Sequence, residues 1–331
     1  MEPEILWGTL FFMLGAVIGS FLNVCIVRLP QEKSVVFPGS HCVKCGKPVR
    51  WFDNIPILSY FILWGKCRDC GAKFSVRYAF VEFLTGCVFL GFYLYYGLSW
   101  LLLPYLLMTA GFIVATFVDF EHRIIPDEVS VGGMFAGIAL SLLIPALHAS
   151  ADPSAFIPTA AVTFIFVIFC LAANFLYFFL QKTPFQKEDA GYVLVCLALV
   201  VVQLAASFAA QAFPATAPWS RSLASSVQGA LIGGGAIYFM GVVGEWIFKK
   251  EAMGGGDVKL LAMIGAFLGW KLAILTFFVA PFFGAIVGIV EKIRTKDSAI
   301  AYGPYLVLGA LVSLFCGDRI IHWIMTGYGV Y

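Results

Sequence analysis

The chain has 331 residues, 61% of them hydrophobic and 12% charged, with a mean hydropathy of +0.93. Such a composition excludes a water-soluble globule for most of the length. The net charge of +2 says little by itself, and where the charges sit is more informative than their sum; no nucleic-acid partner is expected. Several apolar runs reach the roughly 20 residues that a helix needs to cross a bilayer, and alternating barrel strands are absent. The first run, residues 5–27, has neither a basic leader nor a cleavage signal and is expected to be a retained span. A polar stretch follows at residues 28–77, with nine Lys/Arg against three acids, which places it on the cytoplasmic side. Further apolar segments lie at about 79–98, 100–118, 129–148, 157–180, 190–213 and 225–248, then a close pair within 258–292 and a last one from 303. The expected fold is therefore an all-α polytopic membrane protein of nine or ten segments. Its expected parts are a first span at 1–28, a cytosolic loop domain at 29–78 and a membrane core at 79–331.

Following parity from the basic loop, the turns near Gly97 and Asp152 fall outside. Lys182/Lys187, Lys249/Lys250 and Lys292/Arg294/Lys296 fall inside, as the positive-inside rule asks. Residues 258–268 are short for a crossing and are interrupted by Gly269 and Lys271, so a half-span feeding the next helix is expected. The tail from Asp318 to Tyr331 suggests an interfacial anchor.

Within the basic loop lie Cys42-Val-Lys-Cys45-Gly46 and Cys67-Arg-Asp-Cys70-Gly71. Each C-x-x-C hairpin supplies two thiolates to one ion, and the following glycine permits the tight turn. A reducing cytosol disfavours disulfides. Four thiolates with no open position imply a structural Zn2+ held by Cys42, Cys45, Cys67 and Cys70, with neighbouring His41 as a substitute ligand and an unmetallated or redox pair as the alternative. Cys25, Cys87, Cys170, Cys196 and Cys316 lie in or beside apolar runs and are expected to be packing residues.

Ionisable groups within a membrane are expensive and mark function by default. Asp119 ends the run at 101–118, just before Glu121, His122 and Arg123; Asp257 closes Gly254-Gly255-Gly256-Asp257 and opens the next run. Both are expected at cytoplasmic span ends. Two carboxylates in a low-dielectric site share one proton, so one can activate water while the other donates to the scissile group. The glycines let a substrate backbone approach. The blander readings are a helix-end or interfacial residue for Asp119, an N-cap for Asp257, an N-cap for Asp127 and a solvated cluster for Glu121, His122 and Arg123. Lys259 could sit beside Asp257 or contact lipid phosphate.

Gly19-Ser20-Phe21-Leu22-Asn23-Val24, Arg28-Leu29-Pro30, both knuckles, Arg77-Tyr78, Glu82, Thr85-Gly86, Asp119 with Ile125-Pro126-Asp127, Gly254-Gly255-Gly256-Asp257-Val258-Lys259 and Gly303-Pro304-Tyr305 together resemble the bacterial type IV prepilin peptidases, a GxGD class of intramembrane aspartyl protease. The resemblance covers most of the chain. It implies cleavage of the basic leader of type IV prepilins or pseudopilins, typically between Gly and Phe, at the cytoplasmic face of the bacterial inner membrane. It makes Asp119 and Asp257 catalytic. It also implies N-methylation of the new amine with S-adenosylmethionine. The residues that bind this donor are not evident, and a place near the loop and the cytoplasmic end of the first span is suggested. Because leaders are basic, Glu82, Asp53 or Asp69 is expected to offer counter-charge. The spans around 157–213 look like an insertion relative to the compact family pattern. The competing readings are a peptidase without methyl transfer, a membrane transporter and a thiol oxidoreductase.

Overall fold

The computed structural model describes residues 3–149, 163–168, 170, 187–249, 253–295 and 301–327. Among these residues it is helical with no strand, apart from two isolated bridges in the cysteine loop. The helices are α1 (Pro3–Arg28), α2 (Leu58–Ile62), α3 (Arg77–Tyr96), α4 (Leu102–His122), α5 (Asp127–Leu143), α6 (Lys187–Ala212), α7 (Ala217–Phe248), α8 (Gly255–Leu268), α9 (Trp270–Thr295) and α10 (Gly303–Gly327). Seven of them, α1, α3, α4, α6, α7, α9 and α10, are long and apolar enough to cross a membrane. With α5, at 17 residues, and the short α8 they make up nine of the expected segments. The expected span at 157–180 lies outside the described residues, save for a helical piece at 163–168. The tail expected to be an interfacial anchor is helical from Asp318 to Gly327, continuous with the last span.

The chain divides into two compact units, Met1–Pro126 and Asp127–Tyr331. In the first, α1 packs on α3 and α4. Helices in lipid gain little from burying apolar surface, so they associate through close backbone approach and a few polar bonds. Gly15 and Gly19, spaced as G-x-x-x-G, supply the approach: a Cβ on Gly15 would lie 2.6 Å from the Thr85 carbonyl oxygen, and one on Gly19 would lie 2.7 Å from Glu82 Cα. Asn23 supplies the bond, donating through Nδ2 to the Tyr78 carbonyl at 2.9 Å. The opposite side of α1, with Ile5, Met13, Val17 and Phe21 exposed, faces outward as a lipid-facing surface would.

In the second unit α8 is the central element. Its 14 residues extend only about 21 Å, and from Leu260 to Leu268 all but the half-buried Ala262 are buried. A helix apolar on all sides belongs in a core, and here α5 and α7 flank it. A Cβ on Gly229 of α7 would lie 2.0 Å from the Gly265 carbonyl oxygen, and one on Gly265 would lie 2.0 Å from the Gly229 oxygen. One turn along, Gly233 meets the Leu261 carbonyl in the same way at 2.6 Å. Gly133 and Gly137 of α5 seat Met263 and Phe267, with clearances of 2.7 and 3.0 Å.

A helix that stops inside an apolar layer leaves carbonyls that water cannot reach. The Ala266 carbonyl of α8 accepts from Ser226 Oγ at 2.7 Å and from His148 Nε2 at 3.2 Å, so that ring nitrogen carries the proton. The Gly265 carbonyl accepts the N–H of Gly269, whose φ of 80° turns the chain into α9. The short segment expected at 258–268 to feed the next helix is a helix of its own, with its first turn extended back to Gly255. On its other side α9 is tied to α10 by the Thr276 hydroxyl, which donates to Ser313 Oγ at 3.0 Å.

Gly265→Ala forces a methyl into the Gly229 backbone and is expected to destabilise the protein by about 1–3 kcal/mol. A Cβ on Gly132, one position from the α5 contact, meets nothing within 4 Å. Gly132→Ala should be neutral or, by helix propensity, stabilising by up to about 1 kcal/mol. Thermal unfolding of the two purified variants checks the contrast.

Candidate functional site

Among the described residues, Cys42, Cys45, Cys67 and Cys70 are the side chains brought together as a metal-binding set, with their sulfurs all within 4.8 Å of one another. Two matching knuckles produce this. In the first, the Cys42 N–H donates to the Lys47 carbonyl and the Gly46 N–H to the Cys42 carbonyl. In the second, Cys67 donates to Ala72 and Gly71 to Cys67. Gly46 and Gly71 take φ of 70° and 69°, the left-handed region that side chains avoid. The Cys42 and Cys70 sulfurs are 3.7 Å apart. Four sulfurs at about 2.3 Å from a tetrahedral ion are roughly 3.8 Å from each other, so the set fits a thiolate-bound metal. The backbone N–H groups of Cys45 and Lys44 hold the Cys42 thiol down at about 6. His41 is not a member; its Nδ1 faces the Gly39 carbonyl at 2.8 Å.

The acids of this loop hold it together. Asp69 pairs with Lys47 at 3.3 Å, which links the two knuckles. Asp53 receives Arg68 through both carboxylate oxygens at 2.6–3.0 Å, which keeps its carboxyl below the usual range. Of the three acids expected to offer counter-charge, two are therefore committed to the loop's own cations. Glu82 alone forms no ion pair among the described residues.

Asp119 lies in the last turn of α4, where its carbonyl accepts the N–H of Arg123, the left-handed C-cap. Its side chain is buried, at 5% exposure, which excludes a solvated interfacial position. Glu121, His122 and Arg123 are exposed as expected, with Glu121 paired to Arg77. Asp257 lies in the first turn of α8, and Gly254 rather than Asp257 is the N-cap. Its Oδ2 would be 3.4 Å from a Cβ on Gly254, whereas a Cβ on Gly255 would meet nothing. Bare backbone thus fronts the carboxylate, and the helix dipole places partial positive charge at it. Lys259 donates to both oxygens of Asp127 at 2.7 and 2.9 Å. That pair ties the first turn of α8 to the first residue of α5.

One neighbour of Asp257 was not singled out in the sequence. The Tyr302 hydroxyl is buried with no hydrogen-bond partner, and burial together with the Asp257 charge pushes its phenol up to about 12. A lone Tyr before Gly303-Pro304 carries no pattern that would have revealed it. Within the first unit, the end of α1, the start of α3 and the cysteine loop enclose a cavity of about 640 Å³ that reaches Asn23, Arg28, Tyr60, Tyr78 and Glu82.

Residues 13–96 match the family model described as the bacterial peptidase A24 N-terminal domain, and residues 188–289 match the type IV leader peptidase family. The four cysteines, Asn23 and Glu82 lie in the first match and Asp257 in the second, while Asp119 falls between them. The second match starts at residue 188 and so takes in α6. The chain is 31% identical over 290 residues to a prepilin leader peptidase/N-methyltransferase of Myxococcus xanthus, covering 88% of this chain and 64% of that protein. It is 27% identical over 341 residues to the protein of that name in Neisseria gonorrhoeae, covering 95% and 93%. Against the Pseudomonas aeruginosa protein of that name it is 27% identical over 338 residues, covering 93% and 90%. No solved structure matches the chain.

Purified protein is expected to carry about one metal ion per chain, and Cys67→Ser should lose most of it. Elemental analysis checks this. Metal retained at the wild-type level would remove the thiolates from the site.

Proposed function

The chain belongs to the type IV leader peptidase family, and from that membership we propose that it is an intramembrane aspartic endopeptidase that removes the basic leader of type IV prepilins or pseudopilins and N-methylates the amine so exposed. The observation that carries the reading is Asp257, held in the first turn of a buried half-span behind open glycine backbone. Asp119, a buried acid in the last turn of a membrane helix, is the second carboxylate. One of the two is ionised and takes a proton from water as the water attacks the scissile carbonyl. The other, protonated, donates to the developing oxyanion and then to the leaving nitrogen. The bare Gly254–Gly255 backbone leaves room for an extended substrate strand to lie against the site.

Zinc is the ion that four tetrahedral thiolates select, and with no open position it is structural. S-adenosylmethionine, when bound, supplies a methyl group on a positively charged sulfur. The cavity of about 640 Å³ is within the usual size of small-ligand sites. Arg28, Ser40 and Asn54 offer polar groups there, and Phe37, Tyr60 and Tyr78 offer rings against which a purine can stack. The basic loop belongs on the cytoplasmic side of the bacterial inner membrane, which is where a prepilin presents its leader junction. The transporter reading leaves the thiolate set unexplained.

Asp257→Asn and Asp119→Asn are each expected to lower kcat for prepilin cleavage by about a thousandfold or more while keeping the bound metal. Cleavage by either variant at the wild-type rate would remove that residue from the chemistry.

A further inference from the structure

Where α1 crosses α3, the cavity wall presents one buried hydrogen-bond acceptor without a donor and one carboxylate without a cation. Asn23 is 2% exposed. Its Nδ2 is used by the Tyr78 and Gly19 carbonyls, while its Oδ1, buried, has no partner. Beside it the Glu82 carboxylate accepts the Ile57 N–H on one oxygen at 2.7 Å, with the Ser20 hydroxyl adjacent. Both residues line the cavity. A buried acceptor left without a donor is costly, and the half-buried Glu82 carboxylate has no ion-pair partner among the described residues, so the site is suited to a ligand that brings N–H groups and positive charge.

The protein's own cations at this wall are otherwise engaged. Arg28 donates to the Ser34 and Gly39 carbonyls, Lys33 donates to Gln31, His41 faces the Gly39 carbonyl, and the second carboxylate at the wall, Asp53, is taken by Arg68. The position of Glu82 is fixed by backbone, since Gly19 leaves no room between α1 and the Glu82 Cα. A smaller cleft of about 310 Å³ shares Ser20, Val24 and Arg28 with the cavity and extends it past Val17 and Phe21. Those two side chains are 56% and 49% exposed on the outward side of α1. An apolar chain lying along α1 would therefore bring its end to Glu82.

We propose that Asn23 and Glu82 form the binding position for an ammonium group at the end of an apolar peptide, and that this group is the α-amine to be methylated. The proposal rests on the methyl-transfer reading above. Asn23 Oδ1 and Glu82 orient the ammonium, and Glu82 removes one of its protons. The lone pair so freed forms the new N–C bond while the donor's S–CH3 bond breaks, and the sulfur retains the electrons of that bond. The methylated ammonium keeps the positive charge, and the proton on Glu82 passes to solvent. A lysine side chain of the leader offers the same ammonium chemistry, and the experiment separates the two sources.

Full-length protein in lipid nanodiscs is titrated with a synthetic peptide that begins with a free Phe amine followed by apolar residues, and with its N-acetyl twin. Wild type should bind the free amine at least about tenfold more tightly, Glu82→Gln should lose that preference, and Glu82→Asp should regain part of it. Methylation of the free peptide should fall about a hundredfold in Glu82→Gln, with its acid limb displaced in pH. Equal binding of the two peptides by wild type, or a preference retained in Glu82→Gln, would overturn the proposal. So would a raised KM for leader cleavage in Glu82→Gln with methylation of the free peptide intact, which would assign the site to the leader's lysine. Failure of wild type to methylate any peptide would overturn the methyl-transfer reading, while the binding contrast would still decide where an ammonium sits.

Discussion

The contact between Gly229 and Gly265, where two helix backbones meet with no room for a methyl group, is the constraint on which the second unit is built. It permits a helix of 14 residues to stand inside the apolar layer with α5 and α7 packed directly on its backbone. A short helix in such a place must have its terminal carbonyls satisfied, and Ser226 and His148 do this at Ala266. With one end so fixed, the other end is fixed as well. Gly254, Gly255 and Asp257 open the helix, and the Lys259–Asp127 pair keeps that first turn in register with α5. The pair is partly exposed and contributes about 0–1 kcal/mol, so its role is placement more than stability.

The first unit applies the same device to a different end. Gly15 and Gly19 draw α1 onto α3, and the contact fixes Glu82 and Asn23 beneath the cysteine loop. The loop is too small to form a hydrophobic core. It is held by two knuckles and by the Lys47–Asp69 and Arg68–Asp53 pairs, and a structural ion would supply the cohesion that apolar burial cannot. Its carboxylates Asp53 and Asp69 are thus spent internally, which leaves the cavity wall at Glu82 as the place where an incoming cation finds an acceptor.

Much of this was legible in the sequence because its causes are local. Hydropathy and length fix the spans, C-x-x-C-G fixes the knuckles, and the interruption at Gly269 fixes the end of the half-span. Asp119 and Asp257 could be picked out because acids inside apolar runs are rare, and the family resemblance supplied the roles proposed for them. What could not be read has non-local causes. That Gly254 caps α8, that Lys259 pairs with Asp127, and that Asp53 is consumed by Arg68 all depend on which side chains meet in space. Tyr302 is invisible for the same reason, and Glu82 stood only as one of three candidate counter-charges, with nothing to join it to Asn23. A Tyr or an Asn near a span end looks ordinary until its polar atom is seen buried without a partner.

The claim that two carboxylates share the work of cleavage is tested most directly by the pH dependence of kcat/KM for prepilin cleavage by the wild-type enzyme in lipid. One ionised and one protonated acid give a bell, with the rate lost on the acid side when both are protonated and on the basic side when both are ionised. A rate that rises with pH to a plateau, as a single base or a thiolate nucleophile would give, would contradict the account.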